Sequence, residues 1–372
     1  MNTKPPLTDV SIRIAVLLWC EDPTEATAEY GPIIDWNTSE VTNMESLFRH
    51  RFHHFNEDLS GWDVSNVTNM RYMFRAAATF NQNISTWNVS RVTDMGYMFH
   101  RAATFNQDLS GWNVSRVTNM SAMFYRATSF NQNLSQWDMS KVTDVCYMFR
   151  GATTFNQIIS GWDVSGVTNM SSMFHDATSF NQNISGWNVS RVTDMSSMFH
   201  GAIAFNRDLR GWDVSRVTDM GFMFHGATSF NQNVCDWDIS RVTKMRYMFG
   251  FAAAFNQDLS GWDVSRVIDR YNLFRGATVL TTTLQRSFNV SCFFEGVYRC
   301  MPVEKRQLVF AAAFPWQRRR AFMLFLVNHG YLYCASVASN YEHQLSTSSC
   351  EMAPCDAIFD VEDIYRYICQ FL

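Results

Sequence analysis

The chain has 372 residues, of which 47% are hydrophobic and 15% aromatic, and its formal net charge is -4. This hydrophobic content excludes a disordered chain, and the charge excludes a general polyanion binder. The longest apolar runs, 308–316 and 321–327, are far too short to span a membrane, so no membrane segment is expected.

The N-terminal residues 1–35 read as a helical cap. Thr8 or Asp9 is placed to start a helix carrying Ile12, Val16, Leu17 and Trp19 on one stripe. A second start follows at Asp22, with Pro23 in the first helical position and Gly31 as a stop. No secretory leader is legible here, which points to a cytoplasmic protein, with the cell surface as the alternative. Nine cysteines are an odd number, and six of them crowd the last 81 residues, from Cys292 to Cys369. Free, mostly buried thiols are expected rather than a disulfide framework.

From Trp36 to about residue 284 the sequence repeats itself. Trp62, Trp87, Trp112, Trp137, Trp162, Trp187, Trp212, Trp237 and Trp262 stand 25 residues apart, and Trp36 stands 26 before Trp62. Self-similarity at this period marks a stack of repeats in which no unit folds alone. Within one unit Leu59, Trp62, Val64, Val67, Met70, Met73, Phe74, Ala77 and Phe80 form the apolar set. Trp62–Ser65 alternates at period two, as a half-buried strand does. Met70, Met73, Phe74 and Ala77 fall at i, i+3, i+4 and i+7, one face of a short helix with Thr68 or Asn69 as its N-cap. The strict column Asn56, Asn81, Asn106 and onward to Asn256 reads as a buried amide ladder that satisfies backbone at the turns.

The unit W-D-V-S-x-V-T-x-M-x-x-M-F-x-x-A-x-x-F-N-Q-x-L-S resembles the BspA-type leucine-rich-repeat family across residues 9–284, and Tyr30–Trp36 resembles that family's usual opening. The resemblance implies an α/β solenoid of leucine-rich-repeat type, with 25-residue strand–short-helix turns, parallel strands, a helical N-cap and a mixed C-terminal cap. Its members occur as bacterial surface adhesins, and in protists and algae as intracellular proteins. They are regarded as protein-binding scaffolds with no defined catalytic residues.

Three columns are expected to face solvent on the strand side: one of Asp or Asn, one of Ser, and one mostly of Arg. Asp163, Asp213, Asp238 and Asp263, with Arg191, Arg216, Arg241 and Arg266, are the candidate partner-binding residues. Acids and bases three residues apart are also placed to neutralise one another. Nucleic acid is not expected on this Arg ladder, which has close acids and no aromatic platform. A second column holds His100, His175, His200 and His225, but Arg75, Tyr125, Arg150 and Gly250 share it. It reads as a tolerant surface position, with no metal and no cofactor expected. No Ser-His-Asp arrangement, phosphate loop or zinc motif stands out, so an enzyme is not expected.

The repeat ends over Tyr271–Thr283, and residues 285–372 read as a C-terminal cap or a small docking module, with a degenerate F-box-like hairpin as the sharper form. The function expected is a non-enzymatic scaffold that holds a protein partner on the strand face. A secreted or surface adhesin is the alternative, and an adaptor with the F-box-like tail the third.

Overall fold

A computed structural model describes residues 5–49, 54–259 and 261–277. The chain divides into two compact units, Met1–Leu280 and Thr281–Leu372. The tail expected to cap the repeat or to dock lies outside the described residues.

Two helices open the first unit: α1 (Ser11–Glu21) and α2 (Pro23–Tyr30). In α1, Ile12, Ala15 and Val16 are buried, whereas Leu17 stays exposed. Thr8 and Ser11 bond reciprocally, each hydroxyl accepting from the other's N–H at 3.3 and 2.8 Å. Asp22 caps α2 by accepting from Thr24 and Glu25 N–H, at 2.9 and 3.0 Å. Asp9 does not cap α1. Its carboxylate accepts from Thr42 N–H and Asn43 N–H, at 2.7 and 2.9 Å, and from the Thr42 hydroxyl at 2.8 Å.

The repeats form stacked coils, and their hydrogen bonds follow one grammar. Met70, Tyr72, Phe74 and Ala76 donate N–H to the carbonyls of Asp94, Gly96, Met98 and His100 in the next coil, at 2.7–3.0 Å. The intervening Met73, Arg75 and Ala77 donate to Met70, Tyr72 and Phe74 within their own coil, closing successive β-turns at 3.0–3.2 Å. Tyr72 and Ala76 carry the left-handed φ (60° and 64°) that such a chain of turns needs. Alternate N–H groups therefore serve the coil and its neighbour, and no backbone donor from 72 to 77 is wasted.

This differs from the expected elements. Trp62–Ser65 forms no strand, because Ser65 N–H goes to the Asp63 carboxylate at 2.9 Å instead of to another coil. Among the described residues parallel pairing is confined to single-residue bridges four positions beyond Ser65 and its equivalents, running Asn43↔Asn69, Asn69↔Asp94 and on to Lys244↔Asp269. The expected helix at Met70–Ala77 is the chain of β-turns. Overlapping turns return a side chain to the same face every three or four residues, so their apolar spacing matches that of a helix.

The core lies inside the coils. Phe74 and Phe80 stack at 3.9 Å within a coil, and Phe74 meets Phe99 of the next at 5.7 Å. Each Phe or Met buried this way contributes roughly 1.5–3 kcal/mol. From Trp87 to Trp262 each repeat tryptophan's indole N–H donates to a carbonyl of the preceding coil, as Trp87 does to Leu59 at 3.1 Å. Asn81 N–H donates to the Asn56 side-chain oxygen at 2.8 Å, and Gln82 Nε2 to the Asn56 carbonyl at 2.7 Å. The amide contact recurs through Asn256, half-exposed along most of its length.

Candidate functional site

Two ribbons of polar side chains run across the coils. The first is the turn at positions 63–66 of each repeat. Asp163, Asp213, Asp238 and Asp263 are exposed, and each Oδ1 accepts from the serine N–H two residues on, at 3.0–3.1 Å. The serine hydroxyl and N–H hold Asp163, Asp213 and Asp238 below the usual carboxylate range. At Asp263 the Ser265 N–H leads the same effect. Arg191, Arg216, Arg241 and Arg266 are exposed on successive coils and make no hydrogen bond or ion pair among the described residues. The two columns do not pair directly, yet Arg216, Arg241 and Arg266 each help to lower the acid three residues before them, so the expected neutralisation acts through space. The acids are occupied by their own turn, which leaves the guanidinium groups to solvent.

The second ribbon lies at positions 71–76 of each repeat, where the sequence shows no continuous chemistry. Towards the N-terminal end Arg49, Arg71 and Arg75 gather over the Tyr72 ring at 5.0, 4.9 and 5.3 Å. Farther along, His175 and His200 stack at 4.1 Å, and His200 and His225 at 4.6 Å. Burial first, then the charges of His200 and Arg150, lowers His175 to about 3. Burial, His200 and Arg275 lower His225 to about 4. Burial also lowers His200, against the pull of Asp176. The Nδ1 atoms of all three are enclosed without a hydrogen-bond partner.

Asp176 stands within this stack. One carboxylate oxygen lies 3.3 Å from His175 Nε2 and the other 4.0 Å from His200 Nδ1. One ligand atom each of His175, Asp176 and His200 falls within 4.8 Å of the others. The signal for this grouping was present in the sequence: Asp176 follows His175 where glycine follows His200 and His225.

Cys20, Cys146 and Cys235 are unbridged. Burial pushes the Cys20 thiol up to about 12 and raises Cys146 as well, so neither is an activated nucleophile. No helix among the described residues is long and apolar enough to cross a membrane.

Coils of one length, sharing one set of columns and one inter-coil bonding pattern, define a tandem repeat protein. The chain belongs to the family described as Mycoplasma protein of unknown function, DUF285, whose model matches residues 23–137, 128–220 and 207–295. No curated protein matches the chain.

Proposed function

We propose that the chain is a non-enzymatic interaction scaffold, a solenoid of the BspA-type leucine-rich-repeat kind that holds a protein partner against the ribbon of Asp163, Asp213, Asp238, Asp263, Arg191, Arg216, Arg241 and Arg266. The supporting observation is that four exposed guanidinium groups on successive coils make no hydrogen bond or ion pair among the described residues, while Asp213, Asp238 and Asp263 beside three of them are fixed in orientation. Arginine held at a regular spacing, without an ion pair to break, suits bidentate recognition of carboxylates on a folded partner. The cytoplasm is the proposed location.

The test uses a partner identified by proximity labelling, with its affinity measured against the parent and against Arg191→Glu/Arg216→Glu/Arg241→Glu. Charges at such a surface act mainly on association rate. The triple variant should bind at least about tenfold more weakly, with the deficit larger at low salt than at high salt. Equal affinity in a folded variant would remove this face from consideration.

A further inference from the structure

The residue after the histidine column must accept a left-handed backbone. Gly151, Gly201, Gly226 and Gly276 take it at φ 65–71°, and Ala76, Arg101, Arg126 and Phe251 at φ 51–64°. Asp176 holds the same conformation at φ 56° and is the only carboxylate in that column among the described residues. Asp tolerates this backbone better than most residues, so Asp176 is singled out by its carboxylate, whose oxygens lie 3.3 Å from His175 Nε2 and 4.0 Å from His200 Nδ1. The next coil makes room for it, since a Cβ on Gly201 would run into Asp176 Oδ1.

We propose that His175, Asp176 and His200 bind a divalent transition-metal ion of the zinc type, clipping two successive coils together. The 3.3 Å between His175 Nε2 and Asp176 Oδ2 is the separation of two ligands on a tetrahedral ion with bonds of about 2.0–2.1 Å. At 4.0 Å, His200 Nδ1 and Asp176 Oδ1 are too far apart for a hydrogen bond, and the imidazole nitrogen is enclosed without a partner. An ion between them satisfies both. Stacked rings do not aim both lone pairs at one point, so the proposed site requires His200 to turn about its Cβ–Cγ bond, with Asp176, 54% exposed, following it. Three protein ligands leave a fourth position for water or for His225, the next ring of the stack.

Arg150 and Arg126 oppose a cation at His175. Asp176 is the group that offsets them, which makes it the residue on which affinity depends.

The experiment is calorimetric titration of the full chain with zinc chloride at pH 7.4, comparing the parent with Asp176→Gly and His200→Gln. Asp176→Gly installs the residue that the same position has in the next two coils, so it folds at least as well as the parent. The parent should take up one more equivalent of Zn²⁺ than Asp176→Gly, and zinc should raise its Tm by more. With cobalt(II), the parent-minus-variant spectrum should show d–d bands without a thiolate charge-transfer band, which separates this site from the cysteines beyond residue 277. Equal stoichiometry and affinity in parent and Asp176→Gly would overturn the proposal. A thiolate band in the difference spectrum would do the same.

Discussion

An interior coil and the first coil present the same edge to different neighbours. In the interior, Thr93 sends both its N–H and its hydroxyl to the Thr68 carbonyl of the coil before, at 2.8 and 3.2 Å. The carbonyls of Asp94 and Gly96 accept from Met70 and Tyr72 N–H of that preceding coil, at 2.9 and 3.0 Å. The first coil has no coil before it, yet its edge is bonded in the same places. The Asp9 carboxylate takes the N–H and hydroxyl of Thr42, and Arg13 Nη2 and Nη1 reach the carbonyls of Asn43 and Glu45 at 3.3 and 2.7 Å. One acid and one base on the cap imitate the acceptor and the two donors of a missing coil. Burial pushes the Asp9 pKa up, but the N–H groups of Asn43 and Thr42, with the Thr42 hydroxyl and Arg13, more than reverse it. An open stack edge is thus finished by side chains, and a polar residue near a repeat boundary deserves to be read as a copied backbone group before it is read as a helix cap.

The comparison can be broken first at its interior side. Trp162 is 3% exposed, donates to the Leu134 carbonyl at 2.9 Å and stacks on Trp187 at 6.3 Å. Trp162→Ala should cost about 3–5 kcal/mol and split unfolding into two transitions, because both neighbouring coils lose contacts. Trp36→Ala, which faces Trp19 and Tyr30 of the cap, should leave one transition. Chemical denaturation of the two variants separates them, and a single transition at the parent midpoint for Trp162→Ala would refute stacking as the source of stability.

At the edge itself the expected effect is smaller. Asp9→Ala should cost about 1–2 kcal/mol, since it strands donors of Thr42 and Asn43 that are only partly shielded from water. The loss should be local. Amide hydrogen exchange should speed up over residues 41–48 and stay unchanged beyond the third coil.

The smallest effect concerns pH and belongs to the interior alone. His175 and His225 bind protons at about 3 and about 4 in the folded chain, against 6.5 when unfolded. The unfolded state therefore takes up protons first as pH falls. The stability these groups contribute is complete above about pH 6.5 and is lost as pH drops towards 4. Replacing His175, His200 and His225 by Gln should flatten the dependence of Tm on pH over that window. The exposed acids of the other ribbon titrate below it.

The columns were legible because burial follows spacing alone. Leu59, Trp62, Val64, Val67, Met70, Met73, Phe74, Ala77 and Phe80 are all buried, and the asparagine ladder lies where the repeat places it. The type of local structure was not legible, since a chain of β-turns and a helix set Met70, Met73, Phe74 and Ala77 at one spacing. What tells them apart is φ at Tyr72 and Ala76, and neither residue type advertises a left-handed backbone. At the candidate face, exposure of Asp213 and Arg216 followed from alternation. Their failure to pair did not, because it depends on Asp213 choosing the nearer Ser215 N–H. Asp176 was passed over because the histidine column was judged by its most variable members.

Among the described residues the bonds between interior coils join residues 24 to 28 apart, and none of them refers to a particular end of the chain. Duplicating or deleting 25 codons would therefore join coils whose contacts are already correct. The extra residue between Phe48 and Phe55 leaves Trp36 and Trp62 stacked at 6.0 Å, so the stack tolerates an insertion smaller than a full unit. Recombination between misaligned copies of such a gene lengthens or shortens the product in whole coils, so the number of rungs is set by inheritance rather than by folding.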